Sequence, residues 1–289
     1  MECSRQTEGQ VALVTGAARG IGLAIAQRLA ADGHKLALWD RDFNGFDPNT
    51  AGFHPVAKQN VDVSSLESVQ QAYAELLEKS GKVDIVVNNA GIVRDRMMAN
   101  TSEEEFDAVI AVHLKGHFNV YRHAAAVMRK QEGGGSIIGF TSGAFVGSTA
   151  QANYSAAKGG IISLTRSTAL ALHRYGVRAN CIAPVAKTRM SDNVPFGIEM
   201  GEPTAIAPMA VYLLSDAAKD ITGQTYTVVG GRISVWNQPK EVRSMFAPDG
   251  GEWTAEGIAE WLPKTIKDEE HPMLADLARR MAEMEQNKG

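Results

Sequence analysis

Cysteine is nearly absent from this chain: of 289 residues only Cys3 and Cys181 carry a thiol. Two thiols, one near the N-terminus and one in a predicted buried strand, leave no disulfide framework and fit a reducing compartment. No apolar run approaches the ~20 residues that a bilayer-spanning helix needs. The first ten residues are polar and lack the apolar centre of a secretory signal. A cytoplasmic protein without a membrane partner is therefore expected. Positive charge is not in excess either: 29 Lys and Arg stand against 33 Asp and Glu, a net charge of −4, which argues against nucleic acid as the main partner. There is no internal repeat or low-complexity linker, and no metal site is expected.

What is present is an ordinary globular composition, 44% hydrophobic and 21% charged, with enough chain for a sizeable core. Apolar strand patterns alternate with helical ones. Predicted strands are Gln10–Thr15, Lys35–Asp40, Val56–Val63, Val83–Asn88, Ser136–Thr141, Val177–Ala183 and Thr225–Val229. Between them, helices are predicted over Ile21–Ala31, Leu66–Lys79, Ser102–Lys130 with a break at Gly116, Gln151–Tyr175, and Thr204–Ser215. Thr101 or Ser102, followed by Glu103, Glu104 and Glu105, gives the long helix an N-cap signal. Such alternation implies right-handed βαβ crossovers and a parallel sheet covered on both faces. Composition changes after Gly231, where three of the four Trp residues fall. The reading is one α/β domain over residues 1–231 and a C-terminal extension over 232–289. The extension would pack on the domain or on a partner subunit. Met273–Gln286 would form a helix with Met273, Leu274, Leu277, Met281 and Met284 on one side.

The first strand runs into Thr15-Gly16-Ala17-Ala18-Arg19-Gly20-Ile21-Gly22, which opens the first helix. Glycines allow a tight turn and let a pyrophosphate approach a helix N-terminus, where free N–H groups and the helix dipole favour negative charge. The spacing is GxxxGxG rather than the commoner GxGxxG. Asp40 closes the second strand, roughly 20 residues further on, where a carboxylate can accept from ribose hydroxyls and repel a 2′-phosphate. That favours NAD. Arg19 and Arg41 pull toward NADP, because either could neutralise the phosphate.

Tyr154 and Lys158 stand four residues apart near the start of a predicted helix, on one face. A phenol has a pKa near 10, and a nearby ammonium stabilises its anion, which suits general acid–base work on a carbinol or carbonyl oxygen. Alone the pair is weak, since a packed Tyr and a surface Lys share many helices. Thr141 and Ser142 lie at the end of a strand, where a hydroxyl points toward the usual ligand crevice of a parallel sheet.

Taken in order, Thr15–Gly22, Asn88-Asn89-Ala90-Gly91, Ser142, Tyr154–Lys158 and Pro184 resemble the short-chain dehydrogenase/reductase family over roughly Gly9 to Gly231. The resemblance implies a Rossmann-type doubly wound parallel sheet, a nicotinamide cofactor, a small-molecule substrate, and a homotetramer or homodimer. It also implies site roles. Gly16, Arg19, Gly20, Ile21 and Gly22 would cradle the pyrophosphate, with Asp40 on the ribose and Asp62 and Val63 flanking the adenine. Asn89, Ala90 and Gly91 would shape the cofactor's middle, and Pro184 and Thr188 would lie near the carboxamide. Tyr154 would exchange the proton, Lys158 would tune it and hold the nicotinamide ribose, and Ser142 would hydrogen-bond the substrate oxygen. Ungapped matching gives that last role to Thr141; matching the strand end gives it to Ser142, the choice made here.

Two further departures are visible. His113 replaces the helical Asn that commonly anchors a proton-relay water, and no Gly follows Pro184. Together with the short segment Ser191–Pro203 and the long tail, they resemble the (3R)-hydroxyacyl-CoA dehydrogenase and 17-beta-hydroxysteroid dehydrogenase type subgroup. The expected activity is hydride transfer between NAD(H) and a secondary alcohol or ketone, with 3-hydroxyacyl-CoA or a hydroxysteroid as substrate. The alternatives are reduction of another carbonyl such as a 3-oxoacyl-carrier protein, or a redox-inactive cofactor-binding regulator.

Overall fold

A computed structural model describes residues 9–188 and 200–266, together with Leu274, Arg279 and Glu283. The predicted stripe over Met273–Gln286 and most of Ser191–Pro203 lie outside the described residues.

Eight strands form one sheet in the order β3-β2-β1-β4-β5-β6-β7-β8. They are β1 Val11–Thr15, β2 Lys35–Asp40, β3 Ala57–Asn60, β4 Ile85–Asn88, β5 Gly135–Phe140, β6 Val177–Pro184, β7 Thr225–Val229 and β8 Arg232–Val235. All neighbours pair parallel except β8, which returns antiparallel on β7. The helices are α1 Gly20–Ala31, α2 Pro48–Ala51, α3 Leu66–Ser80, α4 Glu103–Ile110, α5 Gly116–Met128, α6 Ala152–Leu172, α7 Ala207–Leu214 and α8 Ala255–Thr265.

The strands are apolar at nearly every position because both faces are covered. Side chains alternate between faces, so one strand feeds two cores. Leu13 of β1 and Val86 of β4 join Tyr73 and Leu76 of α3 and Val120 and Ala124 of α5. Ala12, Val14, Ile85 and Val87 of the same strands join Ile25 and Leu29 of α1 and Met209 and Leu213 of α7. This is the doubly wound α/β fold expected from the sequence.

Two expectations are corrected. The helix predicted over Ser102–Lys130 changes geometry earlier than Gly116: α4 ends at Ile110 and Ala111–Lys115 form a π-helical turn before α5. Ser102 caps α4 in a reciprocal box with Glu105. Residues 232–235, assigned to the extension, instead complete the sheet. Their backbone groups that face β7 are satisfied by its edge. The chain divides into two compact units, Met1–Trp236 and Asn237–Gly289. Within the second unit, Thr254 caps α8 by accepting from the Gly257 N–H at 3.0 Å.

Candidate active site

Strands β1 and β4 are neighbours, but α1 follows one onto one face while α4 and α5 follow the other onto the opposite face. A crevice opens beyond the carboxyl ends of two such strands, the usual ligand position in open α/β sheets. Thr15 and Asn88 sit there in register. The Thr15 hydroxyl donates to Asn88 Oδ1 at 2.7 Å and accepts from the Asn89 and Ala90 N–H groups, both at 3.1 Å. Asn89 Nδ2 donates to the carbonyls of Thr15 and Gly16 at 3.3 and 3.2 Å. The two sequence motifs are therefore stitched into one platform.

The glycines of the turn have distinct reasons. Gly16 has a φ of +63° and Gly20 of +58°, a region that side chains strain to enter. A Cβ on Gly16 would also stand 2.9 Å from Ala90 Cα, and one on Gly22 would strike the Gly16 carbonyl oxygen. The flank of Gly20 is open except for the Thr188 methyl, 3.8 Å from where a Cβ would lie. Arg19, the N-cap of α1, makes no side-chain capping bond, so the helix N-terminus presents its N–H groups without a side-chain acceptor. This cradle fits a phosphate-bearing cofactor.

Beside it, Asp40 Oδ2 accepts from the Ala18 N–H at 3.0 Å, so the strand-end carboxylate also braces the turn. Arg19 pairs with Asp42 at 2.9 Å rather than standing open. The Asn44 N–H, then the Arg19 guanidinium, hold the Asp42 carboxyl below its usual range. Asp62 is exposed and accepts from Ser64 through its N–H and its hydroxyl. Val63 is buried, and its carbonyl accepts from Asn119 Nδ2 at 2.9 Å. Gly116 approaches Val63 so closely that a Cβ would stand 2.9 Å from Val63 Cγ2.

At the other end of the crevice, Tyr154 and Lys158 lie one turn apart on α6. The Lys158 ammonium lies 5.3 Å from the centroid of the Tyr154 ring and donates to the Phe140 carbonyl at 2.6 Å. Burial lowers the Lys158 pKa to about 7 and raises that of Tyr154 to about 12. At the phenol, burial is the leading influence. A hydrogen bond from Ser142 is the influence that favours the phenolate. Ser142 also accepts from the Ala144 N–H at 3.2 Å, which leaves its own hydrogen to point elsewhere. The Thr141 hydroxyl is buried and donates to the Lys158 carbonyl at 2.9 Å.

His113 lies in the π-helical turn, a geometry frequent at functional sites. Its ring meets Tyr154 edge-on, centroids 5.2 Å apart, and its Nε2 lies 2.7 Å from the Ile92 carbonyl oxygen and 3.1 Å from the Ile92 nitrogen. Nδ1 is buried and has no hydrogen-bond partner among the described residues. Burial, then the nearby Lys158 charge, holds the imidazole well below its usual pKa. A turn later, His117 Nε2 accepts from the Phe140 N–H at 3.3 Å, so Nδ1 carries the hydrogen and donates to the His113 carbonyl at 2.6 Å. Burial lowers its pKa to about 3.

Sequence reasoning passed over several supports. Asn153, buried beside Tyr154, accepts from the Tyr154 N–H at 2.7 Å and donates to the Arg94 carbonyl at 3.1 Å, tying the β4–α4 loop to α6. Its one sequence signal is a short amide in the first helical turn. Thr15, at the head of the glycine turn, gives no sequence signal for its bonds to Asn88, Asn89 and Ala90. The Phe140 carbonyl, a backbone group, has no sequence signal.

The fold and crevice define a nucleotide-binding α/β enzyme. The protein-family description "Enoyl-(Acyl carrier protein) reductase" matches residues 16–232. Hydroxyacyl-CoA dehydrogenase ChsB1 of Mycobacterium tuberculosis is 42% identical over 272 residues, covering 85% of this chain and 84% of that protein. The 3-oxoacyl-[acyl-carrier-protein] reductase FabG of Staphylococcus aureus is 37% identical over 243 residues, covering 76% of this chain and 96% of that protein. A short chain dehydrogenase from Mycobacterium avium superposes with a TM-score of 0.80 at 38% identity, over 90% of this chain and 95% of that one. The chain belongs to the short-chain dehydrogenase/reductase family. It is an oxidoreductase acting on CH–OH groups with a nicotinamide cofactor. Among the described residues no helix is long and apolar enough to cross a membrane.

Proposed function

We propose that the chain is an NAD(H)-dependent dehydrogenase of 3-hydroxyacyl thioesters or comparably bulky secondary alcohols. The observation that carries this reading is the convergence of Ser142, Tyr154 and Lys158 beside a phosphate-binding turn whose flanking Arg19 is engaged by Asp42.

Gly16, Gly20, Ile21 and Gly22 would receive the pyrophosphate, aided by Arg19, and Pro184 and Thr188 would lie near the carboxamide. Asp40 would meet the adenosine ribose, Asp62 and Val63 the adenine, and Asn89, Ala90 and Gly91 the middle of the cofactor. When bound, the nicotinamide supplies a hydride donor or acceptor at its ring C4. The protein's own part is proton handling at the substrate oxygen. Ser142 donates to that oxygen, and Tyr154 takes the carbinol proton in oxidation or returns it in reduction. Lys158 supplies the positive charge that a developing phenolate requires. Two carboxylates at the end of β2 disfavour a 2′-phosphate and favour NAD over NADP.

The thioester assignment rests on the relative named hydroxyacyl-CoA dehydrogenase; the relatives named 3-oxoacyl-[acyl-carrier-protein] reductase support a second reading, reduction of a carrier-bound ketone. Steady-state assays with 3-hydroxyacyl-CoA, hydroxysteroid and 3-oxoacyl-carrier-protein panels, each with NAD and NADP, test both. Turnover of 3-hydroxyacyl-CoA with NAD is expected, and inactivity on it alongside active reduction of carrier-bound ketones would replace the first reading by the second. Tyr154→Phe is expected to abolish turnover and keep NADH binding. A homotetramer or homodimer in the cytoplasm completes the proposal; light scattering of the purified protein checks the oligomer. The buried free thiol of Cys181 suits a reducing compartment.

A further inference from the structure

The turn that carries Ser142 has a glycine at each end. Gly143 and Gly147 bracket it; a Cβ on either would meet nothing within 4 Å, and Gly147 adopts a φ of +114°. No side chain at either end resists movement. What fixes the turn is Phe145. Its N–H donates to the Ser142 carbonyl at 3.1 Å, and its ring packs against the small buried cluster of Ile161, Ile162 and Cys181. Its ring also meets Trp236 edge-to-face, centroids 4.6 Å apart and planes at 70°.

Trp236 is itself clamped. Its N–H donates to the Thr225 carbonyl at 2.9 Å, extending the β7–β8 ladder by one residue, and its indole Nε1 donates to Thr227 Oγ1 at 2.8 Å. Indole has a single donor and no acceptor, so this bond sets the ring's orientation. A continuous path therefore runs from β7 through Trp236 and Phe145 to the Ser142 backbone.

We propose that Trp236 is a positioning residue for the reaction: its indole holds, through Phe145, the turn that presents the Ser142 hydroxyl to Tyr154. This rests on the catalytic reading above, and its test separates the two. Wild type, Trp236→Ala, Trp236→Phe and Thr227→Val are compared in 3-hydroxyacyl-CoA oxidation for kcat, KM and the pH dependence of kcat, with NADH affinity by fluorescence and Tm alongside.

Trp236→Ala is expected to lower kcat between about tenfold and a hundredfold, the scale of a small misplacement of a reacting group, with NADH affinity unchanged. The rising, acid-side limb of its pH profile should move to higher pH, because the influence of Ser142 that favours the phenolate is weakened. Trp236→Phe keeps the ring contact and should restore most of both. Thr227→Val releases the indole and should shift both in the direction of the alanine variant by less. Should Trp236→Ala not fold, Trp236→Phe and Thr227→Val decide the matter. Wild-type kcat and an unmoved limb in Thr227→Val and Trp236→Ala would overturn the proposal, as would a kcat loss that follows Tm with the limb unmoved. An inactive wild type would instead remove the reading on which it rests.

Discussion

The Thr141 hydroxyl donates to the main-chain carbonyl of Lys158 at 2.9 Å, while the hydroxyl one residue later favours the anion of the Tyr154 phenol. Adjacent hydroxyls on an extended segment point to opposite sides, so one braces α6 from within and the other faces the crevice. Ser142→Ala is expected to lower kcat by about 10²–10³-fold, the scale of losing one donor to a reacting oxygen. Thr141→Val should instead cost about 1–3 kcal/mol of stability, because a buried carbonyl loses its donor, with kcat within a few fold of wild type. Urea melts and steady-state rates on both variants distinguish these outcomes.

Arg19 is held by Asp42 in a pair whose members are each well exposed. Asp42→Ala should free the guanidinium for a 2′-phosphate and shift the NADP-to-NAD ratio of kcat/KM toward NADP by about tenfold, equivalent to about 1.4 kcal/mol. Parallel kinetics with the two cofactors measure it; an unchanged ratio would show that Asp40 alone sets the preference.

Gly91 faces the His113 ring so closely that any Cβ would strike Cε1. The ring cannot retreat, since its Nε2 is held against the Ile92 backbone and its edge against Tyr154. Gly91→Ala should therefore lower stability by about 1–3 kcal/mol and displace the tyrosine, with loss of turnover. Gly143→Ala, which meets open space, is the control for the backbone effect on stability.

The buried histidines His113 and His117 predict an acid limit. His117 has a pKa of about 3 in the fold against about 6.5 in an unfolded chain. Below pH 6.5 the unfolded state binds the extra proton, so stability is full above that value and falls as pH drops toward 3. The slope reaches at most about 1.4 kcal/mol per pH unit for each such histidine. His113 acts in the same direction. Denaturation midpoints at pH 7.5, 6 and 5 should fall accordingly, and His117→Gln should flatten the decline.

In alcohol oxidation the tyrosine must lose its proton, whereas in ketone reduction it must hold it. The oxidation rate is therefore expected to rise with pH and the reduction rate to fall. Burial pushes the phenol up to about 12. Absorbance titration at alkaline pH, wild type against Tyr154→Phe, should show its ionisation at lower pH once NAD is bound. Identical titrations with and without NAD would remove the electrostatic part of the mechanism.

Much of this was legible in the chain itself. Apolar runs such as Val11–Thr15 and Ile85–Asn88 can be satisfied only by burial on both faces, and the glycines at 16, 20 and 22 are demanded by local geometry and close approach, which any reader of the residues can infer. The order of motifs likewise identified the family. Contacts between residues distant in sequence were not legible. Pairing choice put Arg232–Val235 into the sheet rather than the tail, because the β7 edge offered partners for its backbone. The π-helical turn over Ala111–Lys115 was likewise not legible in those residues. The sign of the Tyr154 shift depended on how deeply the fold buries it, since a lysine at four residues' spacing can acidify a phenol only if desolvation does not outweigh its charge. Sequence thus determined which groups are present and in what order; the tertiary structure decided which hydroxyl faces Tyr154, what Arg19 pairs with, and how the charges of the dyad stand, because each is a matter of burial and distance that spacing along the chain does not encode.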